Sequence, residues 1–200
     1  MAMNMAGNSP QELAEKLVQL GASDARVIPA RSIVVEDRFA EMCTPPQCQN
    51  YGLSPSCPPH IMKPGEFRDL LAQYEYALVF KIDAPTAVLM SDGSRAVAQL
   101  IHEMSSYIEQ LAKENGYANS RGLAAGSCKR IFCHDQARCV VLQGNGKCPF
   151  EKIVRPSISG LGINFFELCK TVGWVTSIIT EKTEPADVPM GMLAGIVLIG

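Results

Sequence analysis

The chain has 200 residues, 47% hydrophobic and 19% charged, a balance that suits one globular domain with a real core and excludes a disordered chain. Its formal net charge is -2 and its pI about 5.9, so it carries no basic footprint for nucleic acid or an anionic membrane. No apolar run approaches the roughly 20 residues that span a bilayer, and the opening MAMNMAGNSPQELAEKL has neither a basic n-region nor an apolar h-region; the expectation is a soluble, cytoplasmic protein.

Ser9-Pro10-Gln11-Glu12 reads as a capping box with proline at the first helical position. It predicts a helix from Pro10 to Leu20, stopped by Gly21, with Leu13, Leu17 and Leu20 as its apolar stripe. ARVIPARSIVVED offers short extended segments interrupted by Pro29. A proline- and cysteine-rich loop follows, and PGEFRDLLAQY predicts a short helix from Pro64. YALVFKID (76–83) reads as a strand buried on both faces. In SDGSRAVAQLIHEMSSYIEQLAKENG, Val97, Ile101, Met104, Ile108 and Leu111 share one helical face, and Asn115-Gly116 ends the helix. His102 falls beside that face and reads as a boundary histidine. A short strand is expected within 117–125. A second cysteine loop comes next, then a helix capped by Asn164 with Glu167 three residues on. WVTSIITE and MLAGIVLIG read as two closing strands.

The sum is a single α/β domain over residues 1–200: a mixed β-sheet flanked by helices. The order extended segment, cysteine loop, helix, strand occurs at 25–83 and again at 117–181. Right-handed crossovers would put both cysteine-rich loops, 43–60 and 126–150, at one end of the sheet, and their cysteines next to each other.

Eight cysteines in a chain read as cytosolic point to metal ligation or redox chemistry rather than disulfides. Three lie at Cys43, Cys48 and Cys57, four at Cys128, Cys133, Cys139 and Cys148, and Cys169 stands alone as an expected core residue. Both groups open with C-x4-C and close with Cys-Pro. CTPPQCQNYGLSPSCPPH (43–60) holds five prolines and a single aliphatic residue, Leu53. It cannot build a core, so a metal would have to hold its shape. Structural zinc usually takes shorter C-x2–4-C knuckles. The wide C-x4-C-x5-C-x8-C spacing of the second group suits a [4Fe–4S] cluster, and a Cys-Pro pair also ends the ligand run of bacterial ferredoxins. For the first group three readings stand open: His60 completes a zinc site, His60 or another side chain completes a cluster, or one iron stays free for a substrate or partner. Gly122, Gly126, Gly144 and Gly146 would let backbone approach a cluster, and Lys129, Arg130, Arg138 and Lys147 would offset its negative charge or dock an acidic electron donor. His134 and Tyr51 read as loop residues. GNGK (144–147) lacks phosphate-loop spacing and reads as a turn, and Arg155-Pro156-Ser157 as ordinary capping.

At these motifs the chain resembles a prokaryotic family of predicted metal-binding proteins, domain of unknown function 2284. The shared features are Cys43, Cys48, Tyr51-Gly52, Cys57-Pro58-Pro59, Gly126-Ser127-Cys128 and Arg155-Pro156-Ser157 followed by ISGLGIN. In the family the second group often opens with C-x2-C, and its last cysteine is followed by arginine. Here the opening is C-x4-C and Pro149 follows Cys148, which leaves the ligand set of that group open. The resemblance implies metal binding and an anaerobe-leaning cytosolic setting, and supplies no reaction. The expected function is an iron–sulfur protein with two [4Fe–4S] clusters, one a four-cysteine electron relay and the other open to an electron-donor protein or a small ligand. A non-catalytic zinc module and a cluster carrier are the alternatives.

Overall fold

The computed structural model describes residues 8–180 and 182–200; the sequence reading of residues 1–7, and the last residue of the expected strand 174–181, lie outside them. Helix α1 (Pro10–Gln19) starts from the expected capping box, with both reciprocal bonds between Ser9 and Glu12 in place. Strand β1 (Asp24–Pro29) and a 3-10 turn (Ala30–Ser32) lead to a short helix α2 (Asp37–Glu41). After the first cysteine loop come α3 (Pro64–Leu71), β2 (Tyr76–Pro85), a single turn α4 (Thr86–Leu89) and the long α5 (Ser94–Glu114). Strand β3 (Arg121–Ala124) and helix α6 (Cys128–Phe132) open the second loop. A 3-10 turn (Ser159–Leu161), α7 (Phe165–Val172) and β4 (Met190–Ile199) close the chain. Asn164 caps α7, its side chain accepting from the N–H groups of Phe166 and Glu167.

The sheet order is β1-β2-β4-β3, with helices against both faces. Ala77 and Val79 of β2, with Ile196 and Leu198 of β4, meet Phe67, Leu71, Leu161, Leu168 and Cys169 on one side. Leu78, Phe80, Val197 and Ile199 meet Leu13, Leu17, Ile101, Met104 and Ile108 on the other. The central strands therefore read as continuous apolar runs, the pattern usual for parallel sheets covered on both faces.

The α/β architecture is as expected, but every strand pair is antiparallel. The one parallel pairing among the described residues is a bridge between Ala124 and Ser157. Double-sided burial fixes the composition of a strand, not its direction, which is why sequence pattern misses this. Because β1 and β3 run in opposite directions, two matching crossovers do not bring the cysteine loops together. The loops meet instead beyond the outer edge of β3. There Ala124 N–H donates to Pro156 O, Ile158 N–H to Ala124 O, and Ser157 N–H to Ser56 O.

Two further expectations change. Residues 174–180 form no regular strand: Val175 is exposed, and Ile179 crosses over Gly191 instead of pairing alongside β4. His102 is fully buried rather than at a boundary. No described helix is long and apolar enough to cross a membrane.

Candidate metal centre

The first cysteine loop is a chain of tight turns. Gln47 and Cys48 N–H groups turn back to Thr44 O, Cys57 N–H to Ser54 O, His60 N–H to Cys57 O, and Gly52 N–H reaches across to Pro58 O. Proline lacks the N–H for a ladder and disfavours helix before it, so turns are what remain. The result folds Cys43, Cys48 and Cys57 together. Burial first, then the charges of Cys48 and Cys57, push the Cys43 thiol up to about 11. His60 is exposed, and its ring faces the Gly52 carbonyl at 3.4 Å.

The second loop begins on α6, which places Cys128 inward, 6% exposed. Cys133, Cys139 and Cys148 are half-buried. Cys133 is raised by burial and then by Cys128, Cys148 and Cys139, against which Lys129 acts. Cys148 is raised by burial and by Cys128 and Cys139, while the Phe150 N–H favours its thiolate. The thiols of this loop are thus near enough to act on one another's ionisation. Lys129 Nζ ties the loop by donating to the Cys133 and Gln136 carbonyls. An aromatic stack fixes it to the core: Phe150 on Phe132 at 5.0 Å, and Phe132 edge-on to His102 at 5.5 Å.

The two groups are joined by three serines. Ser54 Oγ lies 3.3 Å from Ser56 Oγ and 3.2 Å from Ser127 Oγ, and Cys128 N–H donates to Ser56 Oγ at 3.2 Å. All three serines are at most 5% exposed. Burial raises the Cys57 thiol, the hydroxyls of Ser54, Ser127 and Ser56 act against that rise, and the charge of Cys128 adds to it. Cys57 and Cys128, from different loops, are thus neighbours around a shared polar cage. Sequence reasoning missed these serines. The signal was there: a serine directly precedes a cysteine in both SPSC and GSC.

A cleft of about 460 Å³ runs between the loops, lined by Asn50, Gly52 and Leu53 on one side and by Lys129, Arg130, His134, Arg138 and Cys139 on the other. Cys169 sits in the hydrophobic core at 1% exposure. Tyr51 is partly buried in its loop, and His134 is exposed. Ser157 Oγ accepts from Gly160 N–H at 3.3 Å, while the cap position of the turn that follows is held by Ile158. Gly122 does not serve a thiol: a Cβ there would lie 2.9 Å from Ser105 O and 3.1 Å from the Arg155 side chain.

All eight cysteines are free thiols. Among the described residues no three Cys, His, Asp or Glu side chains converge closely enough to hold a single ion. What fits a metal is the donor chemistry: two groups of soft thiols, folded against one another, whose neighbouring charges oppose ionisation unless a cation joins them.

Such a molecule is a cysteine-rich α/β protein equipped for metal. The chain belongs to the family described as predicted metal-binding protein (DUF2284), whose model matches residues 26–199. Searches of the curated proteins and of the solved structures found no match.

Proposed function

We propose that this member of a metal-binding family is an iron–sulfur protein with two [4Fe–4S] clusters. Cys128, Cys133, Cys139 and Cys148 would hold one, and Cys43, Cys48 and Cys57 the other. The observation that supports the reading is the junction of the two cysteine loops at Ser54, Ser56 and Ser127, with the four thiols of the widely spaced second loop near enough to act on one another's ionisation. Thiolate sets of four are the usual ligands of such clusters, and bound clusters would supply one-electron redox chemistry.

The chain's own residues have definable parts. Ser54, Ser56 and Ser127 stabilise the Cys57 thiolate by hydrogen bonding in a dry setting. Lys129, Arg130 and Arg138 offset the negative charge of the second group from the cleft beside Cys139. His60, turned to the Gly52 carbonyl, supports a reading in which the first group has three protein ligands and its fourth position takes a small ligand or a partner protein that delivers electrons.

The test is iron, acid-labile sulfide and zinc per chain on protein purified without oxygen. About eight irons and eight sulfides support two cubanes. About two zincs without sulfide overturn the proposal and leave a zinc-stapled binding module. Eight irons that pass quantitatively to an apo-acceptor would convert the reading to a cluster carrier.

A further inference from the structure

A second concavity lies outside the cysteine groups. It is a polar cleft of about 1050 Å³ between the end of α3, the outer face of α5, the approach to β3 and the segment 151–156. Its walls carry four cationic side chains, Lys113, Arg121, Lys152 and Arg155, against the carboxylates of Glu109 and Glu151. That is an excess of positive charge on a chain whose net charge is -2.

The cations are not equivalent. Arg155 is built into the floor. Its Nε donates to Glu109 Oε2 at 2.6 Å, its Nη1 to the carbonyls of Lys152 and Val154, and its backbone N–H to the buried His102 Nδ1 at 3.0 Å. Both partners of the Arg155–Glu109 pair are only 14% exposed, and Gly122 leaves the room in which the guanidinium lies. Glu109 also pairs with Lys113 and accepts from the Gly122 N–H. Glu109 is satisfied three times over, Glu151 is the one carboxylate of the wall that no described cation pairs with, and neither Arg121 nor Lys152 makes an ion pair among the described residues. The Nη2 of Arg155 likewise has no acceptor among them. A further polar group waits in the same wall: Ser120, 3% exposed, has a hydroxyl without a hydrogen-bond partner.

Fixed guanidinium donors, free cations and an unpaired hydroxyl on one concave wall are the chemistry that recognises an oxyanion. We infer that this cleft binds a small molecule through a phosphate or carboxylate head held by Arg121, Lys152 and Arg155. The cleft also shares Glu151, Arg155 and Pro156 with a smaller pocket, of about 460 Å³, that reaches Ser56 and Cys148. A ligand anchored by its anionic end can therefore extend toward the junction of the two cysteine groups. Anion binding itself does not rest on which metal those groups hold.

The experiment is calorimetric titration of the full chain, purified without oxygen and of measured metal content, with inorganic phosphate and separately with malonate at constant ionic strength. Saturable binding of either probe is expected, weakened about ten-fold or more in the double variant Arg121→Gln/Lys152→Gln. Neither side chain has an internal partner, so that variant is expected to fold and keep its metal. Lys170→Gln, which alters an exposed lysine on α7 paired with Glu167, is expected to bind as the parent does. The stronger probe identifies the head group. Absence of saturation with both probes overturns the inference. So does equal weakening by Lys170→Gln, which would mark diffuse attraction to surface charge.

Discussion

The two cysteine loops use the same ligand chemistry in different surroundings. Between Cys43 and His60 there is no Lys, Arg, Asp or Glu, whereas 126–150 carries Lys129, Arg130, Arg138 and Lys147 against Asp135 alone. The first loop is a succession of proline-rich turns. The second is tied to α5 through Phe150, Phe132 and His102. The first is thus electrostatically bare, and its Cys43 is pushed far above the ordinary thiol range. The second is charge-compensated and mechanically anchored. On the proposed two-cluster reading, the cations of 126–150 would raise the potential of the second centre, against the lowering by its fourth thiolate.

The largest effect should come from the junction between the loops. Cys128→Ala removes a thiol that faces both groups, so it is expected to lose the second centre and destabilise the fold by on the order of several kcal/mol. Metal analysis and thermal unfolding read both. Cys57→Ala should instead lose only the first centre. If Cys128→Ala leaves the metal content intact, the second group is wrongly drawn.

Next comes the anchor that only the second loop has. Burial, and then the Arg155 charge, lower His102 from its ordinary 6.5 to about 4. A depressed folded-state value means that the unfolded chain takes up this proton first as pH falls. The neutral imidazole's contribution is therefore full above about 6.5 and is lost progressively down to about 4, some 3 kcal/mol across the window. His102→Gln keeps an acceptor for the Arg155 N–H but cannot titrate. Its stability, followed by denaturant unfolding, should lose that slope between pH 6.5 and 4, and an unchanged slope would remove His102 as its source.

Cys169→Ala sharpens the comparison from outside it. The residue packs in the core, away from both loops, so the variant should cost about 1 kcal/mol through a small cavity and leave metal content unchanged. Iron loss there would make Cys169 a ligand. The smallest effect is expected from Arg138→Gln with Lys147→Gln, both exposed. Redox titration should find the second centre's potential lowered and the first nearly unmoved. Equal shifts at both would abolish the electrostatic difference between the loops.

The sequence by itself determined the local elements and the chemistry of the donors. The Ser9 box, the five-residue apolar stripe of α5 and the Asn164 cap are written in adjacent residues, because helix starts and faces depend on neighbours three and four positions apart. The two cysteine groups were legible in the same way, as residue types and spacing. Tertiary structure alone decided the rest. Strand direction was invisible because apolar residues on both faces look alike in either orientation. The apolar segment 174–180 took its place across Gly191 rather than in the sheet because a methyl-free surface was available there. His102 and Arg155, 53 residues apart, meet only because α5 packs behind β3. The serine cage and the oxyanion cleft assemble side chains from distant segments, and no periodicity within a segment encodes such a meeting. It is fixed by which faces find each other when the core closes.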